Sequence, residues 1–256
     1  MATVAAEPCR VRTNDFQVMI SIPDAIEVFI YGFCHAKSQT YPYEASRIGD
    51  LWVMRDTPAR KNERKIEVIS HGVSPERVVQ TIQDSELGWH FLCDIHDATE
   101  DYQAKWDHYK ALGYRAMSTE WLFAHDMKDI PLFESDPPVR QILDQEMLKT
   151  INQVASQPQK LREGTRKFSV WDETRDYGWV TSIPFRDSAW VSDLYVHKEL
   201  RGNGYGRALM SKLLHVDREN GVKQSVLLSS SDGARVYPRL GYEQIGVLQM
   251  FCPMKR

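Results

Sequence analysis

Arg201-Gly202-Asn203-Gly204-Tyr205-Gly206 joins a strand-like run to an amphipathic helix through a loop nearly free of side chains. Before it, Trp190-Val191-Ser192-Asp193-Leu194-Tyr195-Val196 has the β-branched and aromatic content of a buried strand. After it, Leu209, Leu213 and Val216, with Met210 and Leu214 beside them, recur at helical spacing up to Gly221. Three glycines between such elements let backbone N–H groups crowd toward one point, where the helix N-terminus adds about half a positive charge. Such a point suits a pyrophosphate. The dinucleotide fingerprint G-x-G-x-x-G and the phosphate loop G-x-x-x-x-G-K-[ST] both fail to fit these residues.

The spacing Arg-x-x-Gly-x-Gly, Arg201 to Gly206, resembles the acyl-CoA loop of the GNAT superfamily of N-acetyltransferases. The chain beyond the loop resembles the same family. Ser225-Val226-Leu227-Leu228-Ser229 reads as the next strand, and Ala234-Arg235-Val236-Tyr237-Pro238-Arg239-Leu240-Gly241-Tyr242 is similar to the family's helix ending in Tyr-x-x-x-Gly-aromatic. The competing reading is a glycine turn on an unrelated α/β domain.

The resemblance implies that a neutral amine attacks the thioester of acetyl-CoA, a cosubstrate, and that no metal takes part. Backbone groups of Leu194, Tyr195 and Val196 would bind the pantetheine arm. Those of Arg201, Gly202, Asn203, Gly204, Tyr205 and Gly206 would hold the pyrophosphate. Tyr237 falls where many members carry the tyrosine that protonates the departing thiolate, and a phenol with a pKa of about 10 is a reasonable donor. Its alternative is an ordinary packed tyrosine. Ser230 falls where many members have an asparagine touching the CoA arm. Asp193 is the carboxylate of the strand before the loop and a candidate base, although strand alternation sets it opposite to Ser192 and Leu194.

Length and composition make a soluble, cytoplasmic protein the expectation. The 256 residues suffice for one large domain or two ordinary ones, and 42% hydrophobic with 26% charged residues is a globular balance. A net charge of −3 argues against general affinity for nucleic acid. No apolar run approaches the roughly twenty residues that span a bilayer, so no membrane association is expected. Cys9, Cys34, Cys93 and Cys252 form no Cys-x-x-Cys pair, so reduced thiols are expected. Asp94, His96, Asp97, Glu100 and Asp101 read as a solvated acidic loop rather than a metal site, because no helical ligand spacing accompanies them.

In chain order, residues 1–10 read as a loose start, 16–20 as a strand and 24–37 as a helix opened by Ser21 and Pro23. Strands are expected at 51–54, 66–69, 89–95 and 115–124, helices from Ser74-Pro75-Glu76 and over 99–112, and a solvated hairpin tip at 60–65. The second half opens with an expected helix capped by Asp136, with Pro137 and Pro138 in its first turn and Val139, Ile142, Leu143, Met147, Ile151 and Val154 on one face. Three successive antiparallel strands, 168–171, 179–185 and 188–196, then lead into the glycine loop.

Tyr109-Lys110-Ala111-Leu112-Gly113-Tyr114 and Tyr237-Pro238-Arg239-Leu240-Gly241-Tyr242 share Tyr-x-x-Leu-Gly-Tyr half the chain apart. The expected fold class is therefore α/β (α+β): two tandem GNAT-like units, 1–129 and 130–256, each a mixed, mostly antiparallel sheet flanked by helices. The counterpart of the glycine loop in the first unit is Val73-Ser74-Pro75-Glu76-Arg77-Val78, without glycine. Pro75 removes a backbone donor and Glu76 would repel a phosphate, so this unit is expected to be degenerate and to bind no CoA. The implied activity is N-acetylation of a primary amine of a small molecule or peptide. A non-catalytic acyl-CoA-binding or sensing module is the alternative, and neither the acceptor nor the oligomeric state is encoded in a motif.

Overall fold

The computed structural model describes residues 19–155, 157–231 and 233–254. Helix α1 (Ile22–Lys37) starts where the Ser21 hydroxyl accepts the Asp24 N–H and Pro23 occupies the first turn. Then come β1 (Tyr43–Ile48), β2 (Leu51–Asp56), β3 (Ile66–His71), α2 (Pro75–Asp84), β4 (His90–Asp97), α3 (Tyr102–Ala111) and β5 (Tyr114–His125). The second half contributes β6 (Val139–Ile142), α4 (Gln145–Val154), β7 (Arg166–Trp171), β8 (Asp176–Phe185), β9 (Ser188–Val196), α5 (Tyr205–Glu219), β10 (Gln224–Ser229) and β11 (Glu243–Pro253).

All the strands join one 11-stranded mixed sheet, in the order β1-β2-β3-β4-β11-β5-β10-β9-β8-β7-β6. Two separate sheets were expected, and the centre of this one explains the difference. The last strand of each half crosses over: β5 pairs with β10 and β11 pairs with β4, while β5 and β11 lie side by side. Both crossings come after a Leu-Gly-Tyr turn whose glycine, Gly113 or Gly241, has a φ near +90°, a conformation side chains resist. Among the described residues only β3–β4 and β9–β10 are parallel, and each is bridged by a helix, α2 or α5.

Helix α1 covers one face across the middle, packing Ala25, Ile26, Phe29 and Ile30 against Ile69 and Ile95 of one half and Ile183, Trp190 and Val226 of the other. Burial of each Ile or Phe in this set contributes about 1.5–3 kcal/mol, so the helix helps to tie the halves together. The opposite face carries α2 and α3 over Val53, Val68 and Leu92, and α5 over Phe168, Val180 and Val191.

Three local expectations change. The proline-led helix over 136–154 divides: Val139–Ile142 is a strand paired to β7, and α4 begins only after Asp144, whose carboxylate accepts the Glu146 and Met147 N–H groups. The 60–65 stretch is the exposed tip expected between the antiparallel strands β2 and β3, and it is anchored by Arg60 and Arg64, which both pair with the buried Asp56 carboxylate, at 2.5 and 2.6 Å. The acidic loop begins later than expected, since Asp94 and His96 are buried on β4 between two neighbouring strands. Asp94 accepts the Ser70 hydroxyl, and burial raises its carboxyl above the usual range. Residues 1–10 and most of the 16–20 strand lie outside the described residues, while Met19 and Ile20 are not in a strand. Cys34, Cys93 and Cys252 are free thiols. Among the described residues no helix is long and apolar enough to cross a membrane.

Candidate active site

β9 and β10 pair only from Ser188 with Gln224 to Trp190 with Val226. Beyond that point the two strands part, and the gap becomes a cleft of about 830 Å³. A bulge helps to open it. The β8–β9 register slips between Trp179–Tyr195 and Thr181–Ser192, and Asp193 takes a φ of +56°. Alternation, which set Asp193 opposite to its neighbours, therefore breaks at this residue. Asp193, Leu194 and Tyr195 line the cleft and also a second pocket of about 450 Å³ on the α1 side.

The N-terminus of α5 forms one end of the cleft. Gly204 stands at the cap position with a φ of +89°, no side chain caps the helix, and no acidic residue occupies its first turn. The orphan N–H groups of that turn are thus left without side-chain acceptors. Leu194, Tyr195, Val196, Arg201, Gly202, Gly204, Tyr205, Gly206, Ser230 and Tyr237 all border the cleft. Asn203 does not: its amide donates to the Leu200 carbonyl, within the turn.

Tyr237 sits in a 3₁₀ turn, Tyr237–Leu240, with its ring against Phe123 and Tyr242. It is only 7% exposed, and this burial pushes its phenol up to about 12. The hydroxyl therefore stays protonated throughout the physiological range. Tyr195 stacks on Trp179 at 4.5 Å, and Tyr205 donates to the Asp136 carbonyl at 3.0 Å.

Residues not expected from the sequence complete the cleft. Arg207, Arg235 and Arg239 also border it, so with Arg201 four arginines line the cleft. Their signal was present: Arg207 comes directly after the loop, and Arg235 and Arg239 flank Tyr237. The second pocket holds Lys160, Arg162, Lys167 and Trp179, of which no motif gave notice.

Residues 164–244 match the family model of the acetyltransferase (GNAT) domain. An uncharacterised N-acetyltransferase of Methanocaldococcus jannaschii is 28% identical over 82 residues, 31% of this chain and 36% of that protein, so the match spans about a third of the relative. A GCN5-related N-acetyltransferase from Kribbella flavida shares the fold with a TM-score of 0.63 and 14% identity, covering 93% of this chain and 97% of its own. A GNAT-family acetyltransferase structure from Novosphingobium aromaticivorans aligns with a TM-score of 0.52 and 14% identity over 91% and 99% of the two chains. A tandem GNAT protein from the clavulanic acid biosynthesis pathway aligns with a TM-score of 0.51 and 12% identity over 92% and 97%. Residues 164–244 thus match a GNAT acetyltransferase domain, and nearly the whole chain shares the fold of solved GNAT structures.

Proposed function

We propose that the protein is an acetyl-CoA-dependent N-acetyltransferase acting on a primary amine of a small molecule or peptide. Its two halves are GNAT-like units, 1–129 and 130–256, which share one sheet by exchanging their last strands, and only the second binds CoA. The observation that carries the reading is the parted β9–β10 pair, which opens onto an uncapped helix end in a cleft lined by four arginines. Amides at a helix N-terminus and nearby guanidinium groups are the donors a pyrophosphate requires. The tandem arrangement draws support from the mirrored strand order and from the fold likeness to a tandem GNAT protein.

In this reading the α5 N-terminus holds the pyrophosphate, and the free edge of β9 at Leu194–Val196 hydrogen-bonds the pantetheine arm. The thioester then lies at the Asp193 bulge, where the second pocket opens and an acceptor amine reaches it. Asp193 accepts a proton from the acceptor ammonium. The neutral nitrogen attacks the thioester carbon, a backbone N–H of β9 stabilises the oxyanion, and the C–S bond breaks as Tyr237 donates its proton to the sulfur. The surplus proton of the acylated nitrogen passes through water to the tyrosinate, and Asp193 releases its proton to solvent.

One observation favours the sensing alternative: burial that raises Tyr237 to about 12 weakens its driving force as an acid. Against it stands the second pocket on the same bulge, since a sensor of acyl-CoA needs no acceptor site. Free-thiol release from acetyl-CoA against a panel of amines separates the two. Turnover with any amine supports the enzyme, and CoA binding without turnover moves the assignment to the sensor.

A further inference from the structure

The pocket on the α1 side of the Asp193 bulge has a charge pattern that specifies its occupant. Its charged lining is Lys160, Arg162, Lys167 and Asp193, three cations to one carboxylate. Arg162 is pinned in place by donating Nη1 to the Ala36 and His35 carbonyls, at 2.6 and 3.2 Å, at the C-terminal end of α1. Lys167 projects from β7 and is only 6% exposed, with its ammonium 5.8 Å from the centroid of the Trp179 ring. Asp193 is the acidic charge that acts on Lys167, yet no carboxylate oxygen among the described residues lies within 4 Å of its Nζ. A buried ammonium without a counter-ion is unfavourable and persists where something else compensates it.

We propose that the acceptor is a small amine that also carries an oxyanion, a carboxylate or a phosphate, which Lys167 and Arg162 grip while Asp193 faces the amine. This inference rests on the acetyltransferase reading and narrows it to a substrate class. An oxyanion pairs the cations that a plain amine would leave repelling it, and Asp193, shared between pocket and cleft, sets the amine end toward the thioester. Burial pulls Lys167 down to about 8, so at neutral pH it remains mostly charged and available to an anion. The rings of Trp179 and Tyr195 supply a flat wall for the carbon segment between the two charged ends.

Matched pairs of amines test it: 4-aminobutyrate against butylamine, and phosphoethanolamine against ethanolamine. Each is assayed for thiol release from acetyl-CoA, and each is titrated calorimetrically into protein saturated with CoA. The oxyanion-bearing member of at least one pair is expected to be favoured by about ten- to a hundredfold in kcat/KM and in affinity, the range of a hydrogen bond to a charged group. The pair that shows the preference tells carboxylate from phosphate. In Lys167→Met, and separately in Arg162→Gln, that ratio falls toward one, with a thermal melt confirming that each variant is folded. Equal use of both members, or preference for the plain amine, overturns the inference and leaves the acetyltransferase reading standing. No thiol release with any amine removes the acetyltransferase reading, and the calorimetric preference then decides the inference alone.

Discussion

The two parallel strand pairs of the sheet are built alike and finished differently. β3 and β4 stay paired from Ile66 with His90 to His71 with Ile95, and the Ser70 hydroxyl closes the gap further by donating to Asp94 at 2.5 Å. β9 and β10 part after Trp190 and Val226. At the helix after β3, Ser74 caps α2 with its own side chain, while Glu76 in the first turn contacts His108. The backbone N–H of Glu76, then His108 and Ser74, hold its carboxyl below the usual range, so it stays ionised at neutral pH. α5 has neither a side-chain cap nor an acid in that turn. A helix end satisfied by its own residues is closed, whereas one left open keeps N–H groups available to an anion. The comparison teaches that a few residues at one turn decide whether a helix end in this fold is closed by its own side chains or left open.

The largest effect expected from breaking this difference is at Gly206. Gly204 is a poor place to test the cleft, because its φ of +89° makes any side chain strained. Gly206 has no such constraint, and an added Cβ would meet only Val196 Cγ2, at 3.8 Å. Gly206→Glu therefore gives the second helix end the acid that the first already has. CoA affinity is expected to fall by about a hundredfold or more, through lost charge-assisted hydrogen bonds, with little change in melting temperature. Unchanged affinity by calorimetry would refute the cleft as a pyrophosphate site.

Next in size is Tyr237→Phe, which removes one oxygen and keeps the ring between Phe123 and Tyr242. kcat should drop by roughly a hundredfold while the Kd for CoA stays put. Full kcat across the pH range would take Tyr237 out of the mechanism.

A smaller, stability-level effect belongs to Lys167. Its pKa is lowered to about 8 in the folded protein by burial, against about 10.4 in an unfolded chain. Between those values the unfolded chain binds the extra proton, so stability rises as pH increases through that window. Lys167→Met should raise the melting temperature at pH 7 and flatten that rise. A variant melting lower than the parent would show that the ammonium is not a net burden to folding.

The smallest effect is expected in the first half. Ser74→Ala removes the α2 cap and should lower stability by about 1 kcal/mol while leaving CoA affinity untouched. A change in CoA affinity would mean that the first half takes part in binding.

Much of this contrast was legible in the chain. The glycines at 202, 204 and 206 and the Ser74-Pro75-Glu76 turn each state their backbone requirements locally, so both helix starts could be read directly. The repeated Leu-Gly-Tyr likewise announced a turn into a final strand. It did not announce which strand would be the neighbour, because the partners of β5 and β11 are set by packing far along the chain. Alternation misplaces Asp193 for a related reason: a bulge depends on the β8–β9 register, and alternation assumes that none is present. Asp136 and the two prolines resemble a helix start, but Asp144 is an equally good cap, and pairing of Val139–Ile142 with β7 decides between them. Lys167 and Arg162 were invisible because a pocket between α1, the 157–165 segment and β7–β9 has no sequence spacing of its own.

The most direct test of the account is a count of binding sites. Acetyl-CoA is titrated calorimetrically into the parent chain and into Gly206→Glu. One site per chain in the parent, with no measurable binding left in the variant, is the predicted result. Two sites in the parent, or one site surviving in the variant, would contradict the claim that the open helix end of the second half alone receives CoA.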